Sequence, residues 1–200
     1  MIQPGAVVGR RGLVEALRSR RLRVSPSPPE QWIDNGTIDL TLGSIFLTAE
    51  RSSVESIPAK DPGRAGVAFR EARLRQKGSL VIQPHQFVLA STFEYLVVPD
   101  DLAGLIQSRS TLGRMGLISA TAAYVHPGYK GCPTLELVNA GEVPITIAPR
   151  DRVCQFIVFT AMSFEQRPSR YQLATRPSVP ASSFRWAEEP KQVDESDTSR

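Results

Sequence analysis

The sequence predicts a mainly β fold, a distorted barrel or jelly roll with one short N-terminal helix. Two observations carry this expectation. From Thr37 onward the chain is a series of short apolar or alternating runs, among them TIDLTLGSIFLTA, SLVIQPHQFVLASTFEYLVV, LAGLIQS, GLISATAAYV, CPTLELVN, VPITIA and VCQFIVFTAMSF. Turn formers separate them, as in NG, PHQ, PDD, HPGYKG, NAGEVP and APRDR. Many short strands at such spacing suit a barrel or jelly roll and not a doubly wound sheet.

The elements follow in order. From Arg11 to Arg21 and just beyond, the apolar residues Leu13, Val14, Leu17 and Leu22 recur at close to the helical period, which predicts a short amphipathic helix over Arg11 to Arg21. SPSPPE stops it, because prolines force extended backbone and remove amide donors. This stretch is a connector laid over something else. Arg51 to Gln76 is charged and weakly patterned and reads as a long loop. After Phe164 the chain turns polar, and beyond Trp186 it is mainly acidic and expected to be disordered. The expected organisation is a helix and Pro-rich connector over 1–30, the barrel over 31–164, a C-terminal arm over 165–186 and an acidic tail over 187–200. No internal repeat is present.

With 200 residues, 41% of them hydrophobic, the chain can build one sizeable core. No run approaches the ~20 apolar residues of a membrane span, and MIQPGAVVGRRG lacks the apolar segment of a secretory signal. A soluble, cytoplasmic protein is expected. Cys132 and Cys154, the only cysteines, suit two reduced buried thiols better than a disulfide framework. The net charge of +4 gathers in RRGLVEALRSRRLR and FREARLRQK, without stacking aromatics or a nucleic-acid-binding pattern. Solvated surface is therefore the better reading, and no nucleic-acid partner is expected.

Several chemistries lack their residues. There is no Walker-type loop and no GxGxxG, and the two cysteines stand too far apart for a zinc deaminase signature. His85 and His126 occur without a nucleophile elbow. Two stretches remain. In SRSTLGRMGL, Arg109, Ser110, Thr111 and Arg114 supply two cations and two hydroxyls suited to a phosphate chain, while Gly113 and Gly116 keep bulk off the backbone. A plain surface turn would look the same. In TLELVN, period-two alternation points Glu136 opposite to Leu135 and Leu137. It is an ordinary exposed residue if that face meets solvent, and a proton shuttle if it meets a closed pocket, where desolvation raises a carboxyl pKa.

The order SRSTLGRMGL, TAAYVHPGYKGCPTLELVN, PITIAPRDRVCQFIVF resembles the dCTP deaminase branch of the trimeric dUTPase superfamily, and GTIDLTLGSIF and VIQPHQFVLASTFEYLVVPDDLAGLIQSRS match in order and spacing. The resemblance runs from about Leu13 to Phe159, with a weaker echo in SRYQLATRPSVPASS. It implies a dUTPase-like barrel, a homotrimer with active sites where subunits meet, and metal-free hydrolytic deamination of dCTP to dUTP and ammonia. Carried over by position, Glu136 is the general acid and base, and Ser110 and Arg114 position the attacking water and hold Glu136. The backbone around Ala122 bonds the water or the base. Arg109 and Thr111 meet the triphosphate together with Arg170 beside Tyr171, and Tyr124 and His126 complete the substrate-binding set. The resemblance implies no protein-bound metal and no tightly bound cofactor, magnesium riding on the triphosphate, and an arm that closes over the site.

The chain also departs from its family's pattern. His126-Pro127-Gly128 stands where members usually have Asp-Pro-Gly, which argues against dUTP hydrolysis. The turn before the last strand reads Pro149-Arg150 in place of Pro-Gly, and Leu173 and Ala174 stand where members place glycine and glutamine after the tyrosine. A non-catalytic nucleotide-binding homologue, and more remotely a dUTP diphosphatase, are the alternatives.

Overall fold

Strands whose side chains alternate between core and exterior generate most of the architecture. The computed structural model describes residues 5–49, 56–58, 61, 65, 69–75, 77–119, 124–162 and 171–179. In chain order these form α1 (Arg10–Arg18), β1 (Arg23–Ser25), a 3-10 turn (Glu30–Trp32), β2 (Thr37–Thr41), β3 (Ile45–Ala49), β4 (Phe69–Arg73), β5 (Leu80–Ile82), β6 (Phe87–Ser91) and β7 (Tyr95–Val97). There follow β8 (Leu102–Ser108), α2 (Ser110–Arg114), β9 (Leu117–Ser119), β10 (Tyr124–Val125), β11 (Lys130–Gly131), β12 (Thr134–Asn139), β13 (Ile145–Ile147) and β14 (Arg152–Thr160).

The strands form a five-stranded sheet in the order β4-β3-β6-β12-β9, a four-stranded sheet β10-β8-β14-β2, a three-stranded sheet β1-β7-β11 and the pair β13-β5. Every strand pairing is antiparallel. The mainly β fold with one short N-terminal helix expected from the sequence is therefore present. A single core joins the sheets through Ile38, Leu40, Phe46, Leu135, Leu137, Phe156 and Val158, and α1 enters it with Leu13 and Ala16. Cys132 and Cys154 are free and buried. Among the described residues no helix is long and apolar enough to cross a membrane.

Two expectations need correction. The helix runs Arg10–Arg18 and stops short of Arg21, because Arg20 takes a φ of 60° and turns the chain so that the Leu22 amide reaches the Ala16 carbonyl at 3.0 Å. The weakly patterned region 51–76 is not loop throughout, since FREAR forms β4 against β3. This strand occupies the sheet edge and has no buried residue, so it carries the charges that blunt an exposed edge. The acidic tail lies outside the described residues.

β8 and β14 pair in one sheet, and Gly104 of β8, opposite Val158, has no room for a side chain. A Cβ there would run into the Phe156 ring and lie 2.5 Å from the Ile157 carbonyl oxygen. Gly104→Ala is expected to cost about 2 kcal/mol through overpacking, lowering Tm by roughly 4–8 °C in a thermal melt followed by circular dichroism.

Candidate active site

Glu136 sits in mid-strand on β12, directly opposite Leu89 of β6. Leu135, Leu137 and Asn139 are buried, whereas Thr134, Glu136 and Val138 are partly exposed on the other face. β6 alternates likewise, with Val88 and Ala90 in the core and Phe87 and Leu89 on the side of Glu136. That side is a pocket of about 590 Å³, mostly apolar, walled by Phe69, Phe87, Leu89, Ile106, Val125 and Pro133 beside Glu136 and Thr134. Burial raises the Glu136 pKa above the ordinary glutamate value. A carboxyl that has lost part of its water shell holds its proton more tightly, the property wanted in a group that must accept and return one.

The rim of this pocket comes from two further segments. Tyr124 on β10 packs edge-on against His126, ring centroids 4.6 Å apart at 84°, and both line the pocket. The His126 carbonyl accepts the Tyr129 amide at 3.1 Å, and Gly128 takes a φ of 75°, so His-Pro-Gly forms the turn into β11. The C-terminal stretch 171–179 then docks beside β11. The Leu173 amide donates to the Lys130 carbonyl at 2.6 Å, and the Cys132 amide to the Ala174 carbonyl at 2.7 Å. Gln172 secures the same turn by accepting the Lys130 amide (3.0 Å) and donating to the Gly128 carbonyl (2.9 Å). Tyr171, Ala174 and Ser178 thereby become pocket wall.

SRSTLGRMGL lies elsewhere. Arg109 precedes α2, and its Nη1 donates to Asp39 Oδ2 at 2.6 Å. The nearly buried Asp39 carboxylate also holds Arg152 at 3.0 Å and Gln155 at 3.1 Å. Ser110, Thr111 and Arg114 are exposed, with no side-chain hydrogen bond or ion pair among the described residues. Gly116 ends the segment at a φ of 95°, and a Cβ there would come within 2.9 Å of the Gly141 amide nitrogen. Asn139, fully buried at the end of β12, fixes that contact by donating to the Ile82 and Val143 carbonyls (2.9 Å each) and accepting the Gly141 amide (3.0 Å). α2 is thus tied to the strand that carries Glu136. None of Arg109, Ser110, Thr111 and Arg114, however, lines the Glu136 pocket of the same chain. Ala122 and Arg170 lie outside the described residues. No three His, Cys, Asp or Glu side chains among the described residues are grouped to hold a metal ion.

Residues 7–161 match the family described as dCTP deaminase-like. The chain belongs to the dCTP deaminase-like family. It is 41% identical over 146 residues to a "dCTP deaminase, dUMP-forming" of Coprothermobacter proteolyticus, covering 72% of this chain and 77% of the relative. It is 34% identical over 165 residues to a "dCTP deaminase" of Thermomicrobium roseum, covering 82% and 81%. Among solved structures, the 2'-deoxycytidine 5'-triphosphate deaminase of Agrobacterium tumefaciens shares the fold, with a TM-score of 0.61 at 18% identity. That match covers 78% of this chain, which spans 47% of the Agrobacterium chain.

Of the site residues expected from the sequence, the structure brings Glu136, Tyr124, His126 and Tyr171 to one pocket, and no expectation from the sequence covered Asp39, Asn139 and Gln172, which hold its surroundings in place. Asp39 had a signal in TIDLTL, where Ile38, Asp39 and Leu40 are all buried and an acid inside such a run demands cationic partners. The glycine-poor positions are also resolved. Arg150 takes a φ of 77° with its guanidinium 3.0 Å from the Phe93 ring centroid, and Leu173 takes a φ of 65° within the docked arm. Removing the anion that holds Arg109 and Arg152 should be costly. Asp39→Ala is expected to lose roughly 3 kcal/mol in urea unfolding, since partly buried guanidinium charge is left uncompensated.

Proposed function

We propose that this protein hydrolytically deaminates the cytosine ring of dCTP, with Glu136 moving the protons. The observation that carries the proposal is the Glu136 carboxyl itself, on the wall of an apolar pocket and raised in pKa by burial. Such a group accepts a proton from the water attacking C4 and passes protons to the ring nitrogen and to the departing amine, which leaves as ammonia. The membership of the family and the relatives' names support cytosine nucleotides as the substrate class.

The remaining roles follow from position. Tyr124 and His126 meet the sugar side, and Tyr171 and Arg170 belong to the arm of residues 165–186 that closes over the site. Ala122 contributes backbone to the water or the base. Ser110 and Arg114 orient the water and Glu136, while Arg109 and Thr111 take the triphosphate. Arg109 can serve Asp39 and a phosphate together, because a guanidinium has five N–H donors and the bond to Asp39 uses one of its nitrogens. Magnesium accompanies the triphosphate and takes its oxygens as ligands. The pocket of one chain has no lysine or arginine among its described lining residues, and the cation-bearing α2 stands apart from it. A homotrimer in which α2 of one copy completes the pocket of another reconciles the two. The barrel over 31–164 with the helix and connector of 1–30 is the unit that assembles, and the cytoplasm is its compartment.

Deamination alone yields dUTP, whereas the name of the Coprothermobacter relative adds dUMP, which requires a further hydrolysis. His126 stands where the family pattern has an aspartate and offers no carboxylate for that second step, so dUTP should accumulate with ammonia. Chromatography of the reaction mixture reads this directly: dUMP with pyrophosphate would place the chain with the dUMP-forming relatives. The second reading, nucleotide binding without turnover, is favoured by the departures at His126 and at Leu173 and Ala174 of the arm.

Glu136→Gln is expected to lower kcat by about a thousandfold while leaving dCTP affinity nearly unchanged. Its stability carries a sign of its own. A carboxyl whose folded pKa is raised favours the folded state when protonated and opposes it once ionised, so the variant should melt higher than the wild type at neutral pH. That gap should close as pH falls through the raised pKa towards ordinary glutamate values. A gap that widens on acidification would mean that Glu136 is stabilised as the anion. Chains carrying Glu136→Gln and Arg114→Ala, each inactive alone, should regain about a quarter of wild-type turnover when coexpressed, the share of sites that draw an intact residue from each copy. No recovery would mean that the site lies within one chain.

A further inference from the structure

Ser178 lines the Glu136 pocket, and its hydroxyl oxygen is buried with no hydrogen-bond partner. Among the described residues it is the one buried side-chain nitrogen or oxygen in that condition. Buried polar groups are nearly always paired, and an unpaired hydroxyl destabilises the fold that holds it. Ser178 is not a loose residue that could swing into water at will. Its segment is pinned by the Leu173–Lys130 and Cys132–Ala174 backbone bonds, by both ends of the Gln172 amide, and by Arg176 against Glu71 at 3.6 Å. Pro177, immediately before it, is buried. The fold therefore holds a hydroxyl in a dry position beside the pocket that carries Glu136.

The surroundings indicate what pairs with it. The pocket wall as a whole is mostly apolar, and no lysine or arginine stands among the described lining residues, so a charged phosphate is poorly served there. A neutral heterocycle and its sugar, flat and with a few hydrogen-bonding atoms on their edges, suit such a wall, and a hydroxyl can serve either a donor or an acceptor among those atoms. We propose that Ser178 is a substrate-binding residue whose hydroxyl hydrogen-bonds the base-and-sugar part of the nucleotide and not its phosphates. The inference rests on the deaminase reading of the pocket and adds a recognition residue supplied by the C-terminal arm.

The test uses the full-length chain in the Glu136→Gln background, so that binding is read without turnover. Calorimetric titration with magnesium dCTP, and separately with inorganic triphosphate, is compared for Ser178, Ser178→Ala and Ser178→Thr. Ser178→Ala should weaken dCTP about tenfold, the scale of one neutral hydrogen bond, and leave triphosphate binding unchanged. Its Tm should stay level or rise, because an unpaired buried hydroxyl has been removed, and Ser178→Thr should recover most of the dCTP affinity. Equal dCTP affinity for Ser178 and Ser178→Ala overturns the inference. So does an equal loss for dCTP and triphosphate, or a lowered Tm with affinity that threonine does not restore. Failure of the deaminase reading looks different: the otherwise unmodified protein then releases no ammonia from dCTP, whatever the titrations show. Absence of dCTP binding by the Glu136→Gln chain overturns both.

Discussion

The placement of Glu136 depends on the antiparallel pairing of β12 with β6. That register sets Leu135 and Leu137 into the core and leaves the intervening carboxyl beside Leu89, on the face that walls an apolar pocket. A shift of one residue would exchange the two faces, burying a carboxylate among leucines and emptying the pocket of its titratable group. The core leucines therefore do two things at once. They hold the sheet to the core, and by requiring that register they fix where the Glu136 carboxyl stands and how much water it keeps. The raised pKa of Glu136 is a consequence of this packing and needs no special partner.

From that strand the rest of the site is organised outward. At one end of β12, Asn139 spends its amide on the Ile82, Val143 and Gly141 backbone, and the resulting turn receives Gly116 and so positions the end of α2. At the other end the chain leads back through β11 to the His-Pro-Gly turn, on which the C-terminal arm docks through Gln172. Cationic and neutral chemistry are thus segregated within one chain. Arg109 and Arg114 stand with α2, while the pocket beside Glu136 has apolar walls and hydroxyl-bearing side chains. A nucleotide is divided in the same way, with a neutral base and sugar at one end and phosphates at the other, which is why assembly of copies is the natural way to present both surfaces to one ligand.

The sequence was most legible where a regular period met a simple environment. Strands in the barrel core announced themselves by alternation, and the face occupied by Glu136 could be inferred from its two leucine neighbours. β4 was illegible because an edge strand pairs on one side only and can be written in charged residues, as FREAR is. The end of α1 was illegible because it depends on the left-handed conformation of Arg20, a residue with no intrinsic preference for it. The site showed the same division. Glu136, Tyr124, His126 and Tyr171 could be placed by type and order, whereas the contacts of Asp39, Asn139 and Gln172 join segments far apart in sequence. Leu173 and Arg150 show that a missing glycine does not forbid a positive φ where neighbouring hydrogen bonds or an aromatic ring hold the residue.

In the proposed assembly the apolar pocket and the arginine-bearing α2 of another copy form one nucleotide site around Glu136. A crystal structure of the Glu136→Gln protein with magnesium dCTP tests it most directly. The cytosine is expected within the pocket, its C4 edge beside residue 136, and the triphosphate leading out to Arg109, Thr111 and Arg114 of a neighbouring copy. A nucleotide whose base lies outside the pocket, or whose phosphates meet no α2 from any copy, would contradict it.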